Sequence, residues 1–228
     1  MAAVLPDGGL RCGTTVMVGG GGGLGATSLV LALLALPTVR GRWCAVVGLP
    51  AMGPVAAEEL DVDLTHLALV PAPGRQWATV TAALLDGLDV VVVQPPHPVR
   101  PPDARRLTAR ARHRRSVLVV LAPSPGSLQA TSRATPGAAG PVSRALDQHP
   151  AAGWPGFDLR LAVTGGEWLG PGTGSGHLQG RRVDVTVWGR GAAVRAVHHP
   201  LWLPAADGGV RPGLACDDAD PAVHSAVG

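Results

Sequence analysis

The sequence predicts an α/β domain whose central sheet is mainly parallel. Short runs of β-branched and aliphatic residues alternate with segments of helical pattern through the first half of the chain. The run Asp89–Val93 (DVVVV) is typical of a strand buried on both faces of a parallel sheet. Hydrophobic residues make up 46% of the 228 residues, which is enough for a sizeable core in one domain.

The alternation of strands and helices continues as far as Leu121. We predict strands at Thr14–Val18, Trp43–Val47, Leu67–Val70, Asp89–Val93 and Val117–Leu121. We predict helices at Gly25–Leu36, where Pro37 should end the helix, and at Pro54–Leu60, Gln76–Leu85 and Asp103–Arg114. Strands that alternate with helices in this way imply parallel pairing.

The pattern changes after Pro123. Residues 124–156 are rich in Ser, Ala, Gly and Pro, which predicts a long loop. The segments 158–163, 182–188 and 192–198 alternate more clearly and predict antiparallel strands that close the C-terminal edge of the sheet. We therefore expect one core domain over residues 1–204 and a disordered tail over residues 205–228.

Composition narrows the classes of function. Every basic residue is Arg, and Lys, Ile, Asn and Tyr are absent, which indicates a G+C-rich genome. The net charge of +3 permits an anionic partner without requiring one. Cys12, Cys44 and Cys216 lie too far apart for a zinc motif or a disulfide framework, so we expect a reducing cytoplasm. The longest apolar stretch, residues 24–36, is too short to span a bilayer, and we expect no membrane partner.

A glycine run follows the first predicted strand, where α/β proteins hold phosphates. Gly20 and Gly25 have the spacing of the loop G-x-x-x-x-G-K-[ST], and Thr27 occupies the position of its magnesium ligand. Ala26 stands where a lysine should neutralise phosphate charge. Gln94 follows the central strand, where a carboxylate should organise Mg²⁺. The loop is therefore predicted to be degenerate.

The glycine run also satisfies the dinucleotide pattern G-x-G-x-x-G at residues 20–25. That pattern requires an acidic residue at the end of the second strand to bind the ribose. The second predicted strand ends instead in Val-Gly-Leu-Pro at residues 47–50. We therefore expect no nicotinamide or flavin, and no resident cofactor of any kind; bound ATP with Mg²⁺ is not expected either.

Two further features are candidates for a binding surface. The helix predicted at Asp103–Arg114 and the residue after it carry the arginines Arg105, Arg106, Arg110, Arg112, Arg114 and Arg115. These arginines could be a solvated face, a docking surface for an acidic partner or a contact for DNA phosphates. Among six tryptophans, Trp43 is expected in the core, whereas Trp168, Trp188 and Trp202 could present a partner surface.

The residues as a whole resemble the RecA ATPase core over about residues 5–203. They are most similar to actinobacterial ImuA-type accessory proteins, which are diverged RecA relatives. The resemblance is carried by VLPDGGLRCGTTVMVGGGGGLGATSL, by VLVVLAP and above all by EELDVDLTHLALVPAPG. It implies a RecA-like P-loop core and places the catalytic glutamate position on or near Arg75. With Ala26 and Gln94, three catalytic charges are then missing, which predicts a pseudo-ATPase.

The resemblance implies a non-catalytic role in SOS mutagenesis and translesion synthesis. The implied partners are a Y-family polymerase homologue of the ImuB type and, through it, an error-prone replicative-type polymerase; RecA is a further candidate. The loop before Trp154 has only Arg133 and Arg144 as cations, so DNA binding is expected to be weak or indirect. A cytoplasmic protein that joins the nucleoid within its complex is expected. The alternatives are an atypical ATPase that recruits a basic residue from elsewhere and a DNA-binding module.

Overall fold

A computed structural model describes residues 1, 4–20, 25–122, 154, 156–170 and 178–213, and these build an α/β fold around one nine-stranded sheet. The strands are β1 (Thr15–Gly20), β2 (Cys44–Val47), β3 (Leu67–Val70), β4 (Val90–Val93), β5 (Val117–Leu121), β6 (Leu159–Leu169), β7 (Gly180–Gly189), β8 (Val197–Trp202) and β9 (Arg211–Pro212). The α-helices are α1 (Ala26–Val39), α2 (Pro54–Glu58), α3 (Trp77–Leu84) and α4 (Pro101–Arg114). Short 3-10 turns lie at Pro6–Gly8, Leu64–His66, Gly74–Gln76 and Gly191–Ala193.

The strand order is β3-β2-β4-β5-β1-β6-β7-β8-β9. All pairings from β3 to β6 are parallel, and the pairings from β6 to β9 are antiparallel. This arrangement confirms the prediction of an α/β fold with a mainly parallel sheet. It also confirms that antiparallel strands close the C-terminal edge.

The core consists of two apolar layers, one on each face of the sheet. Val90 and Val92 of β4 point into the layer that contains α1, whereas Val91 and Val93 point into the layer that contains α3 and α4. All four valines are less than 5% exposed, as expected for a strand that is covered on both faces. The first layer continues under β6, β7 and β8 through Val183, Val185, Val187 and Leu201.

Helix α1 continues beyond the predicted end, because Pro37 lies within its last turn rather than after it. A proline near a C-terminus removes one backbone donor, and few residues follow whose hydrogen bonds it could disturb. The hydroxyl of Thr38 donates to the carbonyls of Leu34 and Ala35 at 2.9 and 3.0 Å, and the N–H of Arg40 closes the turn. The prediction that the helix ends at Pro37 was therefore wrong.

The antiparallel half of the sheet also differs from the prediction. β6 and β7 form a longer hairpin than expected, and β8 begins at Val197 rather than at residue 192. The residues before β8 turn at Gly191, whose φ of +64° is unfavourable for a strand. Part of the expected tail, residues 205–213, belongs to the described residues, and Arg211–Pro212 form β9 beside β8. Residues 214–228 lie outside the described residues, as do residues 124–153 and residue 155 of the predicted loop.

Replacing Leu34 by Ala should destabilise the fold strongly, because this α1 side chain is fully buried between the helix and the sheet. We expect a loss of about 2–5 kcal/mol in the free energy of unfolding. Val39→Ala is the matched control, because Val39 lies in the same helix but is 66% exposed, and it should change stability by less than about 0.5 kcal/mol. Urea denaturation of both variants measures the difference. Equal effects would contradict the assigned orientation of α1.

Candidate functional site

A crevice is expected at the carboxyl ends of the parallel strands, beside β1. The chain leaves β1 towards α1 on one face of the sheet and leaves β4 towards α4 on the other. Such a change of face opens a crevice where α/β proteins bind ligands. Gly20 ends β1 and Gly25 precedes α1; the residues between them, 21–24, lie outside the described part of the chain. The structure thus places Gly20 and Gly25, which flank the predicted glycine loop, at the edge of the sheet where this crevice is expected.

The first turn of α1 follows a left-handed glycine and carries no charged side chain. Gly25 is left-handed, with a φ of +91°, and its carbonyl accepts the N–H of Leu29 at 2.9 Å. Ala26 is the first helical residue and is only 7% exposed, so its methyl group fills the space in which a lysine would begin. Thr27 follows and is half-buried.

Gln94 lies close to the same crevice. It directly follows β4, and its N–H donates to the carbonyl of Val47 at 2.8 Å. Its own carbonyl lies where a side chain on Gly48 would project, so this tight approach requires glycine at position 48. Its amide replaces the carboxylate that a magnesium site needs. Within the described residues, no cluster of three or more His, Cys, Asp or Glu side chains could hold a metal.

Arg75 is not brought as close to the glycine loop. It lies in the exposed Gly74–Gln76 turn after β3, which is the edge strand. Three strands, β2, β4 and β5, separate β3 from β1, and neighbouring strands are spaced by ~4.8 Å. The two strand ends are therefore roughly 19 Å apart. A side chain at position 75 would have to extend across the ends of β2, β4 and β5 to act beside β1.

Arg181 approaches the glycine loop and was not anticipated from the sequence. Its Nη1 lies 3.0 Å from the point where a Cβ on Gly25 would be, and the residue is 8% exposed. Burial lowers the pKa of its guanidinium, which also lies 5.2 Å from the centre of the Trp168 ring. Side chains alternate along β7, so Arg181 lies on the same face as the buried Val183. This alternation could have predicted from the sequence that Arg181 points towards the core.

The arginines of α4 are largely paired with carboxylates. Asp86 accepts hydrogen bonds from both Arg110 and Arg114; its Oδ1 lies 2.7 Å from Arg110 Nε and 3.1 Å from Arg114 Nε. Arg112 contacts Asp158 at 3.3 Å. Arg106 lies 3.9 Å from Asp103. Arg105 and Arg115, in contrast, are exposed and form no ion pair with another described residue. The arginines of α4 therefore do not form a continuous row of unpaired charges on the surface.

The structure does not bring the three candidate tryptophans onto one surface. Trp168 is 49% exposed and pairs across the hairpin with Arg181. Trp202 lies opposite Arg182 of β7, and side chains two, four or six residues apart on a strand share a face, so Trp202 and Trp188 lie on the same face of the sheet. Trp168 lies opposite Arg181, and therefore on the other face. Trp188 and Trp202 are both half-buried.

Trp43 corrects one expectation, and Trp154 lies in the core. Trp43 is 47% exposed and packs against the ring of His66, so it is not a core residue. Trp154 is 3% exposed, and its Nε1 donates to the hydroxyl of Thr108 at 2.8 Å. A ring held in this way is not available to stack on a nucleotide base. Trp154 therefore adds nothing to the case for DNA binding.

The described residues define an α/β protein with a mainly parallel sheet, in which a glycine run joins β1 to α1. The sequence profile of the family described as MT3502 N-terminal domain matches residues 3–126 of the chain. The chain belongs to this family. The match covers the whole parallel run from β1 to β5 with helices α1 to α4.

One relative is the uncharacterized protein Rv3395c of Mycobacterium tuberculosis. It is 41% identical over 97 residues, which are 42% of this chain and 48% of that protein. The chain thus spans about half the length of the curated relative that it matches. A mycobacterial relative is consistent with an actinobacterial origin for the chain.

The described helices are too short to cross a membrane. The longest, α1 and α4, have 14 residues each, whereas a membrane span needs about 20 apolar residues.

Asp86→Asn should lower stability at neutral pH, and its effect should fade in acid. The hydrogen bond from Arg110, with Arg114 beside it, lowers the pKa of Asp86 to about 2. An unfolded Asp titrates near ~3.9, so the wild-type advantage is fully present above that pKa and is lost as pH falls from about 4 towards about 2. The effect should be small, because the pair is exposed to solvent.

Denaturant unfolding of the wild type and of Asp86→Asn at neutral pH, near pH 4 and near pH 2 measures this dependence. A stability difference that stays constant over this range would contradict the assigned ion pairs.

Proposed function

We propose that the chain is a non-catalytic RecA-like accessory protein of DNA-damage tolerance that acts by binding a Y-family polymerase homologue. The observation that carries this proposal is the crevice at the end of β1. Gly20 and Gly25, which have the spacing of a phosphate loop, flank it, while Ala26 contributes a buried methyl group and Gln94 an amide. A fold that lacks charges at these positions is what we expect of a binding protein that derives from an ATPase.

ATP hydrolysis depends on charges that these positions do not supply. A phosphate loop needs a cation for the β- and γ-phosphates, a carboxylate to organise Mg²⁺ and a residue that orients the attacking water. Ala26 and Gln94 stand at the positions of the first two, and the family resemblance assigns the third to the exposed Arg75 or a residue near it. Three losses with separate roles are not offset by a single compensating change, so we expect no turnover.

The proposed partner is a polymerase homologue of the ImuB type, and through it an error-prone replicative-type polymerase; RecA is a further candidate. The resemblance of the sequence to ImuA-type proteins is the basis for this choice of partner. We place the protein in the cytoplasm, and at the nucleoid when it is in its complex. Direct DNA binding is not part of the proposal, because most α4 arginines are already paired with carboxylates.

The purified chain should form a stable complex with the Y-family polymerase homologue encoded in the same genome. Because binding rather than turnover is proposed, the complex should form without nucleotide, and neither the chain nor the complex should hydrolyse ATP. Size-exclusion chromatography with a coupled ATPase assay measures both. A Y-family polymerase from a genome that lacks a relative of this chain is the control. Absence of a complex would contradict the proposed function.

A second candidate function, an atypical nucleotide-binding ATPase, is favoured by one observation. Arg181 brings a buried guanidinium to Gly25, close to where the missing lysine would act. A guanidinium binds phosphate oxygens well. In this alternative Arg181 recruits the phosphates of ATP to the crevice.

Thermal unfolding with and without Mg²⁺ and ATP separates the two candidates. Our proposal predicts no Mg²⁺-dependent rise in Tm, because ligand that does not bind the folded state does not stabilise it. The alternative predicts a rise that Arg181→Leu abolishes and that Arg182→Leu, on the opposite face of β7, retains. Robust hydrolysis after Ala26→Lys alone would also count against our proposal, because it would show the remaining machinery to be intact.

A further inference from the structure

A cavity of about 410 Å³ lies at the end of the sheet opposite the glycine loop. It is lined by Val90 and Val117, which begin β4 and β5, and by the last turns of α1. The segment before β1 forms another wall. Its volume is within the range of ~300–1,000 Å³ that is typical of binding pockets. The cavity is thus separate from the crevice at the carboxyl ends of the strands.

The floor of the cavity is apolar. Its walls include Leu5, Leu10, Leu33, Leu36, Val90 and Val117. Leu36 is 41% exposed although it belongs to α1, the central helix of one core layer. Apolar surface that is open to solvent and bounded by polar groups is typical of an interaction site.

The rim of the cavity is basic. Arg40, Arg42 and Arg115 line it, and all three are exposed. Asp89 is the one carboxylate among the described lining residues, and it is engaged by Arg42 at 3.1 Å and by the N–H of Trp43 at 3.2 Å. Arg40 and Arg115 form no ion pair with another described residue. The rim therefore presents positive charge beside an apolar floor.

Capping of helices accounts for only part of this arrangement. Arg40 and Arg115 directly follow α1 and α4, where a cation complements the negative end of a helix. That role requires neither an open apolar floor nor the approach of both helix ends to one cavity. A combination of apolar centre and charged rim is instead the anatomy of a protein interface.

We propose that this arginine-rimmed cavity docks a partner segment in which apolar side chains are flanked by carboxylates. The charge of the rim selects the carboxylates, and the floor takes the apolar side chains. Single-stranded nucleic acid fits less well, because sites for it combine cations with stacking rings, and none of the described lining residues is aromatic. The inference rests on the proposed function for the source of the segment, which is the polymerase homologue.

The charge of the rim can be tested with a defined probe. The probe is a fluorescein-labelled peptide with a Leu-Trp-Leu-Leu centre and two aspartates at each end, and a peptide with asparagines in their place is its control. Fluorescence polarisation should show binding of the aspartate peptide to the wild type. The double variant Arg40→Glu and Arg115→Glu should bind it about tenfold or more weakly.

The control is a second double variant that changes the net charge by the same amount as the rim variant but at positions that do not line the cavity. Arg100→Glu with Arg195→Glu alters two exposed arginines that form no ion pair with another described residue, and it should bind the peptide within about twofold of the wild type. Failure of the wild type to bind the peptide, or equal weakening in both double variants, would overturn the inference.

Cys12 offers a second, uncharged way to block the cavity. Its exposed side chain lines the cavity, whereas burial, reinforced by Asp89, raises the pKa of the Cys44 thiol to about 12 and keeps it unreactive. In a Cys216→Ser background, a bulky maleimide should therefore label Cys12 and abolish binding of the peptide. Unchanged binding by the labelled protein would overturn the inference.

The same variants, assayed against the polymerase homologue, distinguish failure of the inference from failure of the proposed function. Loss of the complex in the rim variant and its retention in the control variant support both. Equal binding by the wild type and the rim variant overturns the docking surface and leaves the function standing. Binding of the peptide at the rim without any binding of the polymerase homologue supports the surface and contradicts the proposed function.

Discussion

The structure depends on the burial of β1, β4 and β5 on both of their faces by aliphatic side chains. With Phe and Tyr almost absent, Val, Leu and Ala must fill both layers of the core. A strand with two apolar faces needs helices on both sides, which sends the chain from β1 to one face and from β4 to the other. The crevice beside β1 follows from this packing. The position of this crevice therefore depends on the apolar packing of the sheet and not on charged residues beside it.

Binding of a phosphate and its hydrolysis make different demands on such a crevice. Arg181 supplies positive charge close to Gly25, but a guanidinium supplies neither a magnesium ligand nor a group that orients water. Burial lowers the pKa of this guanidinium, which lies close to the first turn of α1. Occupation of the crevice by an anion would thus be compatible with the absence of turnover.

Local sequence patterns predicted much of the parallel half of the sheet. The valine run predicted β4 to within one residue, and the strand at Leu67–Val70 agrees at both ends. Pairings across long separations were not predictable in this way. Asp86 pairs with Arg110 across 24 residues of sequence, and Asp158 pairs with Arg112 across 46. These ion pairs could not be predicted locally, so more of the α4 arginines were expected to be unpaired than the structure shows. The start of β8 was missed because its position depends on pairing with β7 rather than on its own composition.

The central claim is that the chain binds its partner without nucleotide chemistry. Isothermal titration calorimetry of the chain with the polymerase homologue, in the presence and absence of Mg²⁺ and ATP, tests this claim most directly. The account predicts the same affinity in both conditions and no heat from hydrolysis after mixing. Binding that requires ATP, or continuous heat release from the complex, would contradict it.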